Sequence, residues 1–463
     1  KPDLFDVVIV GGGIAGATLA RGIGSNPALA NRRVALIESS DLNKVRQWDT
    51  SPSLAYSNRT VSITPASQST LVASGIWPHL DATRIQPYTD MKVWDGVSDG
   101  RVHFSARDLP ELSRAGNRLN QQQPMAWILE NLNLHRAALR AVDEVRDRVE
   151  IMDQTKVDHI SLAQPRSTAS PNTTPTTSPG QGGAGSELDW PVLRLSSGRT
   201  LQTRLLIGAD GANSPVRRFS NIGSAGWNYT QHGIVAMLKL ADSDCVNTTA
   251  WQRFLPTGPI ALLPMPHNHV ALVWSMEKDF VPHLKKLPEA EFVQALNVAL
   301  RLPFEDLDYL LRHIQSPTPS FSMVTEFGAY HHHHQPPWVA QVEPDSRASF
   351  PFKLQHADRY IGQRIALVGD AAHTIHPLAG QGLNLGLLDV ASITRALESA
   401  ALNGQDLGDY NSLLGYSSDR YFANLVMIGA VDKLQKLFST SCGPLAAVRS
   451  LGLNAVNHIP VLK

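Results

Sequence analysis

GDAAHTIHPLAGQGLNLG, residues 369–386, decides how the rest of the chain is read. The run RIALV at 364–368 ahead of it is short and apolar, as in a parallel strand buried on both faces, and Asp370 stands where that strand ends. Gly380, Gln381, Gly382, Leu383 and Asn384 then open a helix expected to continue through Asp389 to about residue 400. A helix that begins at glycines has little side chain to shield its first free N–H groups, and the positive end of its dipole faces outward. An electron-rich group is expected to sit there.

Near its start the chain reads FDVVIV at 5–10 and then GGGIAG at 11–16, a strand followed at once by G-x-G-x-x-G and a helix to about residue 24. In that setting Gly11 permits the tight turn, Gly13 lets the backbone approach a pyrophosphate, and Gly16 lets the helix pack closely on the strand. A second strand, RVALI at 33–37, ends at Glu38, whose carboxylate can accept hydrogen bonds from a ribose diol and disfavours a 2′-phosphate. The nucleotide is therefore FAD or NAD rather than NADP. LLI at 205–207 runs into GADGANSPVR at 208–217, a further strand-to-turn element with an acid, Asp210, at its tip. Groups so placed meet a dinucleotide at the carboxyl ends of parallel strands.

Between these elements the pattern is mixed. Arg59, just ahead of TVSITPAS, reads either as an anion partner for a phosphate or flavin edge or as a solvated surface arginine. Residues 86–123 alternate aromatic and polar side chains and suggest a second sheet, and 125–141 has helical spacing, with Glu130 and Asn131 near its start. Residues 149–162 and 192–207 read as paired strands around a Pro/Thr/Ser/Gly insert at 164–187, which cannot bury enough apolar surface to fold. From 234 to 276, apolar runs separated by turns describe a meander of antiparallel strands. Residues 288–311 predict one helix, with Leu287, Phe292, Leu296 and Leu300 along one face. The four histidines 331–334 have no acidic or cysteine partner at ligand spacing, which argues against a metal site, and with the prolines after them they read as a loop insert at 329–347. Helices at 410–437 and 446–456 close the chain. Their Phe422, Leu425, Val426, Ile428 and Val431 suit a core, or else an apolar face shared with a membrane or partner, with the core favoured.

At 463 residues the chain can hold two or three domains around a large core, and 43% hydrophobic with 18% charged content is that of a globular protein. Its 41 basic residues balance 41 acidic ones, so no bulk charge draws it to nucleic acid or to an anionic membrane. Two cysteines, Cys245 and Cys442, argue against a disulfide framework and suit a reducing compartment. No apolar run reaches about 18 residues, so any membrane contact would be peripheral. The sequence starts at Lys1 with the dinucleotide strand close behind, which suggests a removed leader.

Together, the glycine fingerprint with Glu38, GADGANSPVR and GDAAHTIHPLAGQGLNLG resemble the FAD-dependent aromatic hydroxylases of the para-hydroxybenzoate hydroxylase fold, over nearly the whole chain. Within that group, ITPASQSTLVASGIW at 63–77 and the unbroken GDAAHTIHPLAGQGLNLGLLDV at 369–390 look most like the ubiquinone-biosynthesis hydroxylases. The two inserts depart from compact bacterial members and are more similar to the mitochondrial coenzyme Q ring hydroxylase.

The resemblance implies an α/β fold: a discontinuous Rossmann-like FAD-binding domain from 1–85, 124–222 and 355–405, an antiparallel β-sheet substrate domain from 86–123 and 223–354, and C-terminal helices from 406–463. It implies that Gly11, Gly13, Gly16 and Glu38 hold the ADP half of FAD, that Arg59 lies along the cofactor, and that Asp210 and Gly211 sit near the pyrophosphate. Asp370 would bond the ribityl chain, and Pro377, Gly380, Gln381, Gly382, Leu383 and Asn384 would border the isoalloxazine ring. The implied reaction reduces the flavin, adds O2 to give a flavin hydroperoxide, and transfers one oxygen to the ring of a polyprenylated hydroxybenzoate, at ring carbon five. The chemistry belongs to the cofactor, so no side-chain nucleophile is expected, and neither His373 nor His376 is assigned as a base. Electrons would come from a ferredoxin and its reductase, or from NADPH. Other coenzyme Q biosynthesis proteins would join it in a complex on the matrix side of the mitochondrial inner membrane, with peripheral contact. The alternatives are a sibling hydroxylase acting on another aromatic, and a non-catalytic flavoprotein subunit of a lipid-biosynthetic complex.

Overall fold

The structure is a computed structural model and describes residues 1–49, 55–108, 124–162, 190–241, 246–312, 335–440 and 443–458. The insert at 164–187, the four histidines 331–334, and Cys245 and Cys442 lie outside those residues.

Short Val/Ile/Leu runs build the first sheet. Ile365–Leu367, Thr200–Gly208, Asp3–Val10, Val34–Ile37 and Val149–Met152 lie side by side in that order, every neighbour parallel. Parallel strands are buried on both faces, and the helices Ile14–Ser25, Asn131–Asp143 and Gly382–Leu402 pack together to cover them. Ile361–Gly362 adds an antiparallel edge, and Val192–Leu195 pairs antiparallel with both Thr200–Gly208 and Val157–Ser161.

The second sheet has nine strands, with a core of its own against the helices Val281–Lys286 and Glu289–Arg301. Its long strand Ser224–Leu240 runs antiparallel to His269–Glu277 on one side and to Ala348–Ala357 on the other, and Thr249–Phe254, Ile260–Met265 and His269–Glu277 form the expected meander. One pairing is parallel, Thr249–Phe254 with Asp90–Asp95. A small antiparallel sheet of Thr60–Ile63, Ala126–Glu130 and Ile85–Tyr88 stands beside it, fixed by the buried pair of Arg84 Nε and Glu130 Oε2 at 2.7 Å.

Several expectations change. Residues 126–130 are a strand, and the helix starts only at Asn131: a short buried apolar run carries no periodicity that separates strand from helix. The single helix at 288–311 is two, Glu289–Arg301 and Phe304–Arg312, because Pro303 holds Leu302 in an extended conformation and cannot continue the hydrogen-bond ladder. The loop insert at 329–347 contains the strand Val339–Val342, paired to Ser224–Leu240. On the helix Tyr410–Phe438, Ile428 and Val431 are core, whereas Phe422, Leu425 and Val426 are exposed.

Candidate functional site

Three adjacent parallel strands end in register: Val10 is opposite Gly208, and Gly208 is opposite Leu367. The loops that follow them, at 11–16, 209–215 and 369–371, therefore leave the sheet at one edge. Their closeness is tight at the backbone. A Cβ on Gly11 (φ +107°) would lie 2.3 Å from the Ala209 carbonyl oxygen, and one on Gly16 would lie 1.9 Å from that of Gly11. These two glycines are demanded by packing. Gly13 differs: a Cβ there would meet nothing within 4 Å, and it caps the helix Ile14–Ser25 without any side-chain hydrogen bond. Open space in front of uncapped helical N–H groups is the arrangement that takes a phosphate.

Glu38 closes one side of this loop. Its Oε2 accepts from Gly12 N at 2.6 Å, and its Oε1 accepts from Ser40 N at 2.7 Å and Ser40 Oγ at 2.8 Å. Burial raises its carboxyl pKa, but these hydrogen bonds outweigh burial and hold it below the usual range. On the other side His135, from the helix Asn131–Asp143, places Nε2 at 2.7 Å from the Gly12 carbonyl oxygen. That oxygen can only accept, so Nε2 carries the proton.

In the second loop, Asp210 Oδ2 accepts from Val216 N at 2.9 Å, while Oδ1 is buried without a hydrogen-bond partner. Burial raises this carboxyl. Gly211 (φ +80°) has open space where a Cβ would stand. Arg217, itself buried, donates from Nη2 to the Ala212 carbonyl at 2.8 Å and from Nη1 to the Ala371 carbonyl at 2.6 Å, so one guanidinium ties the second loop to the third.

The third loop turns at Gly369 (φ +60°) and leaves Asp370 exposed to solvent, its carboxyl raised by desolvation from the surrounding protein, with His373 opposing and Asp389 adding to the shift. Residues 377–379 form a second turn, in which His376 Nδ1 accepts from Leu378 N at 3.1 Å, and Gly380 (φ +59°) ends it. The helix Gly382–Leu402 then begins with no side-chain cap. Asn384 is a clamp: Oδ1 accepts from Thr64 N at 3.1 Å, and Nδ2 donates to the carbonyls of Ser62 at 2.7 Å and Gly380 at 3.1 Å. Its amide is committed to the protein, leaving its backbone N–H for a ligand. Gln381, Leu383 and Pro377 are half-buried around this turn.

Gly11, Gly13, Gly16, Glu38, Asp210, Gly211 and Asp370 thus gather at one sheet edge, and Pro377 to Asn384 continue from it. Arg59 is exposed just ahead of the strand Thr60–Ile63, three residues before Ser62, whose carbonyl accepts from Asn384. Sequence reasoning missed His135, Arg217, Asp389 and Arg420, whose Nε donates to Asp389 Oδ1 at 3.0 Å. Of these only Asp389 carried a signal, as a charge in an otherwise apolar stretch of helix.

The residues present fit FAD. Gly13 and Gly211 leave the backbone open, Asp210 offers an unused buried oxygen, and Glu38 retains a lone pair on Oε2. Residues 312–425 match the family model described as an FAD binding domain. The chain is 38% identical over 464 residues to the mitochondrial ubiquinone biosynthesis monooxygenase COQ6 of Xenopus tropicalis, covering 100% of this chain and 92% of that protein. It is 38% identical over 480 residues to the same-named protein of Saccharomyces cerevisiae, with 100% and 92% covered. Among solved structures, p-nitrophenol 4-monooxygenase PnpA from Pseudomonas putida superposes with a TM-score of 0.65 at 17% identity, over 99% of this chain and 96% of that one.

Proposed function

Because the chain belongs to the COQ6 family of ubiquinone-biosynthesis monooxygenases and is an FAD-dependent monooxygenase, we propose that it hydroxylates a polyprenylated hydroxybenzoate at ring carbon five. The observation that supports this site is the meeting of three loops at one sheet edge, with Gly13 and Gly211 open and Asp210 and Asp370 supplying acceptors. When bound there, FAD supplies the redox chemistry by which one atom of O2 enters the ring and the other leaves as water.

The chain's own residues bind and orient. Glu38 accepts from the adenosine ribose, and the amide of Gly13 with the helix start behind it faces the pyrophosphate. Asp210 and Gly211 border the same group, and Asp370 accepts from the ribityl hydroxyls. Arg59 lies along the cofactor from the small sheet. Pro377, Gly380, Gln381, Gly382, Leu383 and Asn384 border the ring, where the uncapped helix start at Gly382 favours negative charge without reorganising. The described residues of 1–85, 124–222 and 355–405 are read as the cofactor side, and those of 86–123 and 223–354 as the substrate side. His373 is buried against Asp389 and has no access to a substrate, so no base is drawn from it.

The relatives named above are mitochondrial by name. This chain's place is proposed as the matrix side of the inner membrane, in peripheral contact and in a complex with other coenzyme Q biosynthesis proteins. Its electrons come from a ferredoxin and its reductase in preference to NADPH. The test is stopped-flow reduction of the bound flavin by each donor with a short-tailed substrate present, followed by O2 and product analysis. Faster reduction by ferredoxin and a ring hydroxylated at carbon five are expected. A correctly folded, colourless protein that takes up no FAD ends this reading, and fast direct reduction by NADPH reverses the choice of donor.

A further inference from the structure

The strand Thr249–Phe254 sends successive side chains to opposite faces of the large sheet. Trp251 enters the core shared with the helices Val281–Lys286 and Glu289–Arg301. Ala250 and Phe254 point the other way. Ala250 joins Tyr88, Ile128, Met237 and Met265, where the small sheet packs on the large one, and Phe254 joins Val93, Val102 and Phe438. Gln252 stands between them on that same face, level with Val93 on one neighbouring strand and Ala261 on the other.

This glutamine is 7% exposed, and its amide makes no hydrogen bond among the described residues. Neither amide atom is sealed in protein, so both meet an open space inside the fold. An amide has two donors and two lone pairs to satisfy, and burying it unpaired is costly, so its retention on an apolar face points to a ligand.

The space it meets lies beside the turn at 377–380. On one flank Leu378 packs on the cluster of Val93 and Phe254. On the other, the Tyr88 hydroxyl lies 3.4 Å from Ser62 Oγ, and a Cβ on Gly380 would lie 3.8 Å from Ser62 Cβ. Met91 packs against both clusters and joins the flanks. The result is an apolar gap with an amide on its sheet wall, facing the turn that borders the flavin ring in the reading above. A mostly apolar recess with a few placed polar groups is how a small aromatic ring is held and oriented.

We propose that Gln252 binds the phenol hydroxyl of the substrate ring, its Oε1 accepting from the O–H, and so selects hydroxylated rings and fixes which ring carbon faces the flavin. This rests on the hydroxybenzoate reading given above. A neutral amide takes no proton from the phenol, so its part is recognition and orientation. A ring lacking the hydroxyl would displace water from the amide and leave it unpaired, which penalises that ring more than it rewards the right one.

The experiment is isothermal titration of the full FAD-loaded chain with a short-tailed prenylated hydroxybenzoate and with the same compound lacking the hydroxyl, for the unaltered protein, Gln252→Leu and Gln252→Met. The unaltered protein should bind the phenol about tenfold or more tighter than its deoxy analogue. Both variants should lose most of that preference while keeping FAD content and Tm, because the amide they remove has no partner in the fold. Variants that keep the preference would overturn the inference, as would variants that weaken both ligands equally, the mark of a structural role. Equal binding of the two ligands by the unaltered protein would overturn it as well and leave the substrate reading standing. Binding of neither ligand by the unaltered protein would instead remove the hydroxybenzoate reading, and the inference with it.

Discussion

Asp389 Oδ2 lies 2.6 Å from His373 Nε2 and 3.1 Å from Gly369 N, so one fully buried carboxylate holds both flanks of the turn that presents Asp370. Its other oxygen accepts from Arg420 Nε and Asn424 Nδ2, each at 3.0 Å. Burial raises the Asp389 carboxyl, but His373, Asn424 and Arg420 together outweigh it and keep the group low. Asp389→Asn leaves the Arg420 charge without its buried partner and should cost about 3–5 kcal/mol, read by urea denaturation, with weaker FAD retention. Adding Arg420→Gln should recover part of that loss, since the two side chains act as a unit.

The two kinds of glycine in the fingerprint separate folding from binding. Gly16→Ala forces its Cβ against the Gly11 carbonyl, so poor folding and low soluble yield are expected. Gly13→Ala meets open space at an ordinary φ of −67° and should leave apo stability within about 0.5 kcal/mol. It should nonetheless weaken FAD by roughly tenfold or more in an equilibrium titration, about 1.4 kcal/mol. Unchanged FAD affinity in Gly13→Ala would remove the phosphate from this loop.

At the third loop, Asp370→Ala removes an acceptor and should lower FAD occupancy after gel filtration. For Gly382→Val, a Cβ meets only Ile375 at 3.6 Å, an ordinary contact, so the fold should survive while the ring is displaced. If both variants keep stoichiometric FAD and full turnover, the assignment of these residues is wrong.

Arg217→Ala cuts both bonds between the second and third loops. Hydrogen bonds from a charged donor contribute about 1.5–3 kcal/mol each, and the faster release of FAD is the sensitive readout. Arg217→Lys should rescue it poorly, because a single ammonium does not reproduce the fork that spans two carbonyls.

The pH dependence has a definite sign. Burial pushes His356 and His376 down to about 4, against about 6.5 in an unfolded chain. Between those values the unfolded chain binds protons that the native one refuses, so stability falls as pH is lowered from about 6.5 to about 4. The slope is about 1.4 kcal/mol per pH unit for each histidine. His356→Gln and His376→Gln should each lessen the rise of Tm with pH across that range in calorimetry, the raised Asp210 and Asp370 carboxyls acting in the opposite sense in every protein compared, and a pH dependence of Tm that neither substitution changes would refute the burial of both rings as neutral groups.

The glycine fingerprint, the Asp-Gly element and the Gly-Asp stretch were legible because each must place glycine or an acid at fixed spacing after an apolar run, a local requirement written in adjacent residues. What joins them was not. Arg217 and Ala371 are 154 positions apart and His135 and Gly12 are 123 apart, and nothing in either neighbourhood names the other. The 126–130 strand was misread for the related reason that its partners Thr60–Ile63 and Ile85–Tyr88 decide it, not its own five residues. Asn384 follows Gly380 by four residues in the sequence, yet only packing against Thr64 and Ser62 shows its amide to be spent on the protein. The sequence by itself determined that Phe422, Val426 and Leu434 are apolar and share a helix. Whether that face is covered depends on what the rest of the chain brings against it, and the fold buries Ile428 and Val431 while leaving the other side bare.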